Sequence, residues 1–431
     1  MDYDKLLNLG TELGCRLMES GAEIYRVEES VRRLLTAYGV EPQVFAIPNC
    51  LIVSVNTPEG HPLTRMCRIP AHGTDIELLE RCNQLCRYLC NQPVPVLEAQ
   101  ELVADLPRGL RGFSPKILVL AYGATAAFFA LFFGGGLLEW LAAALCGLAA
   151  GVCLLYGQRF IGSNTFFRTT ICAALISGLA LLLVTLGLGK DLEAISIGAL
   201  MVLVPGMALT NAMREIMAGD VFSGLNRTAE VILVATAIAL GTALPLLLGQ
   251  GAPGGGGGQT EGIDLLPCLW AMLACVGFGL VFNIQGWGVL ICGFGAGLGW
   301  LAYLAAMELS ANDILSAFLA AVVIGGYSEW MARLRRCPVT GYLQVALLPL
   351  VPGAGIYHAM QYCVSGYTQL FLTTLLHTFG MAAALSVGAM LTSSVLRAIL
   401  PRFAPWGDRL IFGGTICIEV VENTGPIGPY S

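Results

Sequence analysis

Charged residues are scarce in this chain. Only 12% of its 431 residues are Asp, Glu, Lys or Arg, and 56% are hydrophobic, whereas an ordinary soluble domain is about 25% charged. So few charges cannot keep the surface of a chain of this length in water, and the composition therefore indicates an integral membrane protein in contact with the lipid bilayer. The net charge of -6 argues against a nucleic-acid partner, because nucleic acids bind to basic surfaces.

Signatures of several other protein classes are missing as well. The N-terminal stretch MDYDKLLNLG has no basic segment followed by an apolar one, so we expect no cleaved signal peptide. The lack of a P-loop argues against direct driving by ATP, and the sequence shows neither a nucleophile elbow nor a familiar metal-ligand spacing. We therefore expect no enzymatic activity, no catalytic residues, no metal site and no cofactor.

Fifteen cysteines are present, but their positions do not indicate a disulfide framework. Cys146 and Cys172 lie inside long apolar runs, where cysteine packs as a small hydrophobic residue. Cys82, Cys86 and Cys90 fall on one face of a predicted helix, and core packing is favoured there over zinc binding. We expect no structural disulfide.

Residues 1–116 carry enough polar residues to form a soluble domain before the first long apolar run. Capping patterns, apolar periodicity and turn residues predict a small α+β domain for this part of the chain. The predicted elements are a helix that begins with a capping box of Ser20 and Glu23 and ends at Gly39, a β-hairpin of segments 51–56 and 63–69, and a helix at about 75–91.

Ten apolar runs follow, each about as long as the roughly 20 residues that a membrane-spanning helix requires. Five precede and five follow a glycine run, which predicts an all-α polytopic membrane protein with five-helix repeats at 117–249 and 265–397. Residues 250–264 are predicted to form a Gly-rich external linker, and residues 398–431 a C-terminal tail. The ten predicted spans are 117–134, 137–157, 170–188, 194–213, 229–249, 265–282, 286–305, 314–332, 341–363 and 368–396.

One segment of the first half returns in the second half. MVLVPGMALTNAMREIMAGD at 201–220 reappears as LPLVPGAGIYHAMQYCVSGY at 348–367, an offset of 348 − 201 = 147, with seven of the twenty positions identical. Because each half contains an odd number of predicted spans, the second half must enter the membrane upside down. The sequence therefore predicts two inverted repeats, an arrangement found in many secondary transporters.

The basic residues predict an orientation for these spans. If the N-terminus and the C-terminus are cytoplasmic, ten arginines face the cytoplasm and only Lys190 faces outside, as the positive-inside rule requires. Many small residues on the spans are compatible with a homo-oligomer. The ten arginines are Arg159, Arg168, Arg214, Arg227, Arg333, Arg335, Arg336, Arg397, Arg402 and Arg409.

A Pro-Gly pair interrupts the middle of both the fourth and the ninth predicted span. Proline removes a backbone donor and breaks the helix, and a half-helix that begins at the break directs its partly positive N-terminus toward it. Two such ends predict a midplane site for a carboxylate, although two simple kinks, with Asn211 and His358 hydrogen-bonded between helices, are the alternative. The predicted substrate-binding residues are Pro205, Gly206, Thr210, Asn211, Pro352, Gly353, Tyr357 and His358.

Proton coupling requires a titratable group within the membrane. His358, His377 and Glu329 are the candidates, and the alternative for each is a packed, hydrogen-bonded residue. Other charged residues follow the first break, where we expect a solvated cytoplasmic loop or helix end. They are Arg214, Glu215, Asp220 and Arg227.

Two segments of the chain resemble a known family. GAEIYRVEESVRRLLTAYG (21–39) and LVPGMALTNAMREIMAGDVFSGLNR (203–227) are similar to the cytosolic signature and the Pro-Gly segment of the threonine/serine exporter family, ThrE-like proteins. The second half is similar to the smaller partner that some members carry as a separate chain, so that a YjjP-like and a YjjB-like half are fused here. The resemblance implies secondary export of threonine and serine across the bacterial inner membrane, driven by the proton gradient.

The resemblance leaves the substrate open, because the split relatives YjjP and YjjB are associated with succinate export. A dicarboxylate exporter is therefore the main alternative. A passive channel of the same architecture and a membrane-embedded enzyme remain as rival functions from other classes.

Overall fold

The computed structural model describes residues 2–69, 73–107, 112–157, 164–249, 265–335 and 337–399. The predicted linker 250–264 and nearly all of the predicted tail 398–431 lie outside these residues. The same holds for four of the arginines that predicted the orientation, namely Arg159, Arg336, Arg402 and Arg409.

The N-terminal domain is an antiparallel three-stranded sheet in the order β1-β2-β3, packed against helices. Leu51, Val53 and Val55 of the central strand are buried on the helix-facing side, as the two-residue period of a half-buried strand requires. The predicted hairpin and the helix near 75–91 are confirmed. The elements are α1 (Tyr3–Glu19), α2 (Ile24–Ala37), β1 (Pro42–Ile47), β2 (Cys50–Asn56), β3 (Pro62–Arg68), α3 (Ile76–Asn91) and α4 (Val96–Asp105).

The predicted capping box of Ser20 and Glu23 was wrong. The Ser20 hydroxyl donates a hydrogen bond to the backbone carbonyl of Leu17 and so helps to end α1, a helix that the sequence did not predict. Glu23 precedes α2 but its side chain makes no capping hydrogen bond. Its carboxylate is instead bound to Arg214, 191 residues further along the chain.

The expectation that no cysteine pair is bonded was wrong for one pair. The structure joins Cys15 of α1 to Cys67 of β3, with Cα atoms 6.8 Å apart. Tertiary packing of α1 against the sheet brings these residues together, and nothing in their sequence spacing predicts it. Cys82 and Cys86 are buried in the domain core, as predicted.

Within the described ranges, seven helices after the N-terminal domain are long and apolar enough to cross a membrane, so the chain is a polytopic membrane protein. The helix at Leu266–Val281 is apolar but shorter, and the fourth and ninth predicted spans are each divided into two short helices. The helices are α5 (Pro115–Phe132), α6 (Leu137–Tyr156), α7 (Thr165–Thr185), α8 (Leu192–Leu200), α9 (Gly206–Ala218), α10 (Val221–Gly249), α11 (Leu266–Val281), α12 (Gly288–Ser310), α13 (Asp313–Arg335), α14 (Val339–Leu347), α15 (Gly353–Val364) and α16 (Thr368–Ile399).

The N-terminal domain is docked onto one end of this helical bundle. The backbone N–H of Ile76 donates to the carbonyl of Phe282 at 3.0 Å, and the Asn283 side-chain amide donates to Asp75 at 3.0 Å. The domain therefore contacts the loop between α11 and α12 with both backbone and side-chain groups.

Candidate functional site

The two Pro-Gly breaks lie against each other in the folded chain. Pro205 precedes α9 and Pro352 precedes α15, and both have ψ angles outside the helical range, 41° and 54°. A Cβ atom added to Gly206 would lie 3.4 Å from the Cα atom of Gly353 and would collide with the side chain of Val351. Glycine is therefore required at Gly206 by the close approach of the second break.

A cavity of about 230 Å³ extends from the first break toward the N-terminal domain. We call it the interdomain cavity. Helix α9, helix α10 and the N-terminal domain contribute its walls, and Asn211 projects an Oδ1 atom that is buried without a hydrogen-bond partner among the described residues. The residues that line it are Gly21, Gly73, Thr74, Pro205, Met207, Ala208, Asn211, Arg227, Glu230, Val231, Val234, Phe282 and Gln344.

A buried charge cluster connects this cavity to the N-terminal domain. Arg227, which lines the cavity, lies 3.0 Å from a carboxylate oxygen of Glu215. The neighbouring Arg214 lies 2.6 Å from Glu23 of the N-terminal domain, and Glu23 in turn lies 2.7 Å from Arg26. Charges of alternating sign thus run from the cavity wall into the domain.

The expectation that Arg214 and Glu215 lie in a solvated loop or helix end was wrong. Arg214 is 5% exposed and Glu215 is 2% exposed, and each is paired with an opposite charge, Arg214 with Glu23 of the N-terminal domain and Glu215 with Arg227 of α10. The cluster joins residues from the two segments that carried the family resemblance. Sequence reasoning missed it, since no local pattern shows that Glu23 and Arg214 are in contact.

Burial and neighbouring charges act in opposite directions on the two carboxylates of the cluster. Burial alone would raise the pKa of Glu23, but Arg26 and Arg214 outweigh it and lower this pKa to about 2. For Glu215, burial is the larger effect and raises the pKa to about 7, although Arg227 partly opposes it. Glu23 is therefore ionised at neutral pH, whereas Glu215 exchanges its proton near neutrality.

The structure does not bring the other predicted site residues to the interdomain cavity. Thr210 is fully buried and donates its hydroxyl to the Gly206 carbonyl within α9. Tyr357 and His358 are not among the residues that line the cavity. His358 lies 3.8 Å from Glu193 of α8, a residue that sequence reasoning had not selected.

The three candidates for proton coupling occupy separate places. His358 pairs with Glu193, and its ring lies 5.3 Å from that of Tyr357. His377 is half exposed and lies 3.4 Å from Asp313, while the buried Glu329 lies 3.7 Å from Arg333. Each candidate thus has its own charged neighbour. Within the part of the chain that the structure describes, no group of three His, Cys, Asp or Glu residues could hold a metal ion.

Long apolar helices, paired broken helices and a cavity beside the break are features of membrane transport proteins. Two family models match the chain: "Putative threonine/serine exporter" over residues 8–249 and "Threonine/Serine exporter, ThrE" over residues 267–395. The chain belongs to the threonine/serine exporter family, and both halves of the family are fused in it.

Relatives with known names agree with this assignment. The "Probable threonine/serine exporter" of Mycobacterium tuberculosis is 23% identical over 98% of this chain and 84% of the relative. The "Threonine/serine exporter" of Corynebacterium glutamicum is 19% identical over 93% of this chain and 85% of the relative. The "Probable succinate transporter subunit YjjP" of Escherichia coli is 26% identical, but the match spans only 55% of this chain and 92% of the relative. No solved structure matches the chain.

Proposed function

We propose that this protein is a secondary exporter of small carboxylate-bearing metabolites, with threonine and serine as its substrates. The proton gradient drives export by alternating access, in a bacterial inner membrane with both termini in the cytoplasm. The observation that carries this proposal is the interdomain cavity, which leads from the N-terminal domain to the break at Pro205. A substrate entering from the cytoplasm would reach the break by this route.

The proposed architecture is a pair of inverted five-segment repeats. The breaks at Pro205 and Pro352 are related by the 147-residue offset, and the same offset relates two glycines at helix crossings. Gly241 of α10 approaches the backbone of α7 near Ala173, and Gly388 of α16 approaches the backbone of α13 near Ala321. Packing that recurs at equivalent positions supports the repeat, and rocking of the halves would alternate access.

The lining of the interdomain cavity favours an amino acid as substrate. Arg227 supplies one positive group and Glu230 one negative group, while Asn211 and Gln344 supply neutral polar groups. A zwitterion matches both charges, whereas a dicarboxylate would place its second negative charge near Glu230. The volume of about 230 Å³ lies below the ~300–1,000 Å³ of sites for drug-sized ligands, which suits a small metabolite.

For proton coupling we propose His358, because its contact with Glu193 joins α15 of the second half to α8 of the first. Protonation of the imidazole strengthens this contact and deprotonation weakens it. A group that bridges the two halves is well placed to link its protonation to their movement.

The test is transport by the full chain in liposomes, with labelled threonine or labelled succinate, with and without an imposed pH gradient. We expect threonine flux that the gradient accelerates and that serine competes. The variants Asn211→Ala and His358→Ala should each reduce this flux at unchanged amounts of folded protein. Flux of succinate but not threonine would support the function named for the YjjP relatives instead, and unchanged flux in both variants would overturn the proposed site.

A further inference from the structure

Arg227 belongs both to the interdomain cavity and to the buried charge cluster. Its side chain lines the interdomain cavity, and its Nε atom lies 3.0 Å from Oε1 of Glu215. Among the residues described as lining this cavity it is the single cation. Any anion that enters the cavity therefore meets one positive group, which already holds a carboxylate of the protein.

The carboxylate that holds Arg227 is itself poorly satisfied. The Oε2 atom of Glu215 and the Nε atom of Arg227 are both buried without a hydrogen-bond partner within the described part of the chain, so the two side chains are paired by charge and not by a well-formed hydrogen bond. The charges that face Glu215 are Arg227 from α10, Arg214 from its own helix, Asp220 from the following turn and Glu23 from the N-terminal domain. Arg214 is already engaged with Glu23 at 2.6 Å, so Arg227 is the partner that Glu215 depends on.

We propose that Arg227 is the residue that binds the substrate carboxylate, and that it does so by exchanging Glu215 for the substrate. This inference rests on the proposed function, but it holds equally for an amino acid and a dicarboxylate because both carry the carboxylate. Arg227 contacts the substrate directly, whereas Glu215 is a positioning residue that holds the guanidinium while the cavity is empty.

The exchange has a consequence for protons. When the substrate takes Arg227, Glu215 stays buried and loses its main stabilising cation, so its pKa rises further above the value of about 7 that it has in the empty site. The carboxylate then takes up a proton from the cytoplasmic side and returns it there when the substrate leaves Arg227, so this proton does not cross the membrane and is separate from the coupling proton of His358. Conversely, raising the pH ionises Glu215 in the empty protein, strengthens its hold on Arg227 and weakens substrate binding.

The test is calorimetric titration of threonine, and separately of succinate, into the purified full chain between pH 6 and pH 8. Wild-type protein should bind threonine about tenfold more weakly at pH 8 than at pH 6, the change expected for a competing group that titrates near 7. Titrations in buffers of different ionisation enthalpy should show uptake of up to one proton per threonine at pH 8.

Three variants separate the roles of the two residues. Arg227→Gln should lose at least about tenfold in affinity, the loss of a charge-assisted hydrogen bond, and Arg227→Lys should recover part of it. Glu215→Gln should bind more tightly than wild type at pH 8, with no pH dependence and no proton uptake. Arg32→Gln is the matched control, because Arg32 belongs to an exposed pair with Glu29 at 3.1 Å, and it should behave as wild type.

The outcomes are distinguishable. Wild-type affinity in Arg227→Gln, or a tenfold pH dependence that persists in Glu215→Gln, would overturn the inference while the exporter function stands. If Arg227→Gln does not fold, the inference is tested by the pH dependence of threonine affinity in Glu215→Gln alone. If the wild type binds neither threonine nor succinate, the proposed function fails and the inference fails with it.

Discussion

At the scale of single residues, the contact between Glu23 and Arg214 links the N-terminal domain to the transmembrane part. Both side chains are 6% exposed and their charged atoms are 2.6 Å apart. Two buried opposite charges stabilise each other only while both are present, since removing one leaves the other without compensation in a poorly solvated place. The Nε and Nη2 atoms of Arg214 already lack hydrogen-bond partners among the described residues, so the guanidinium depends on Glu23.

Glu23→Gln should therefore destabilise the folded protein by about 3–5 kcal/mol, measured by thermal unfolding in detergent. Glu29→Gln is the control, because Glu29 is paired with Arg32 and Arg33 on an exposed surface and should lose no more than about 1 kcal/mol. A double-mutant cycle of Glu23→Gln and Arg214→Gln should show strong non-additivity. Additive losses would mean that the two charges do not interact in the folded protein.

At the scale of secondary-structure elements, the breaks between α8 and α9 and between α14 and α15 fit together through glycine. Gly206→Ala introduces a Cβ that meets Val351 and Gly353, so the two halves must separate at this point. We expect lower thermal stability and reduced threonine flux. Gly326→Ala in α13 is the matched control, because the nearest atom to its new Cβ is 4.0 Å away and alanine favours a helix by roughly 0.5–1 kcal/mol. Equal behaviour of the two variants would contradict the packing.

The elements differ in how far the sequence predicts them. The long spans α5, α6 and α7 were predictable, because a run of apolar residues of membrane length has few alternatives to a helix. Helix α1 was missed, and with it the role of Ser20 as the residue that ends this helix. The Pro-Gly pairs correctly predicted broken helices, since proline removes the donor that a continuous helix needs.

The candidate site was only partly predictable, for a physical reason. Pro205 and Asn211 were selected from sequence and do line the interdomain cavity. Glu23 became visible only through docking of the N-terminal domain, which brings it to Arg214, 191 positions away. Arg227 became visible only through the packing of α10 against α9, which brings it to Glu215. Charged side chains are usually exposed to solvent, so the sequence predicted exposure for Arg214 and Glu215. This rule fails here because each of the two is buried beside an opposite charge.

At the scale of the whole molecule, the proposed transport pathway includes a surface of the N-terminal domain. Gly21, Gly73 and Thr74 form one wall of the interdomain cavity, and Pro205 and Ala208 of the membrane part form another. In the proposed route, substrate reaches the break from the cytoplasm by passing between the domain and α9.

Filling the interdomain cavity tests whether substrate passes through it. Ala208→Trp places an indole in the cavity of about 230 Å³, whereas Ala218→Trp places the same group at the exposed end of the same helix. Threonine flux in liposomes should be lost in Ala208→Trp and retained in Ala218→Trp, with both variants folded at wild-type yield. Equal flux through the two variants would show that substrate does not pass through the interdomain cavity.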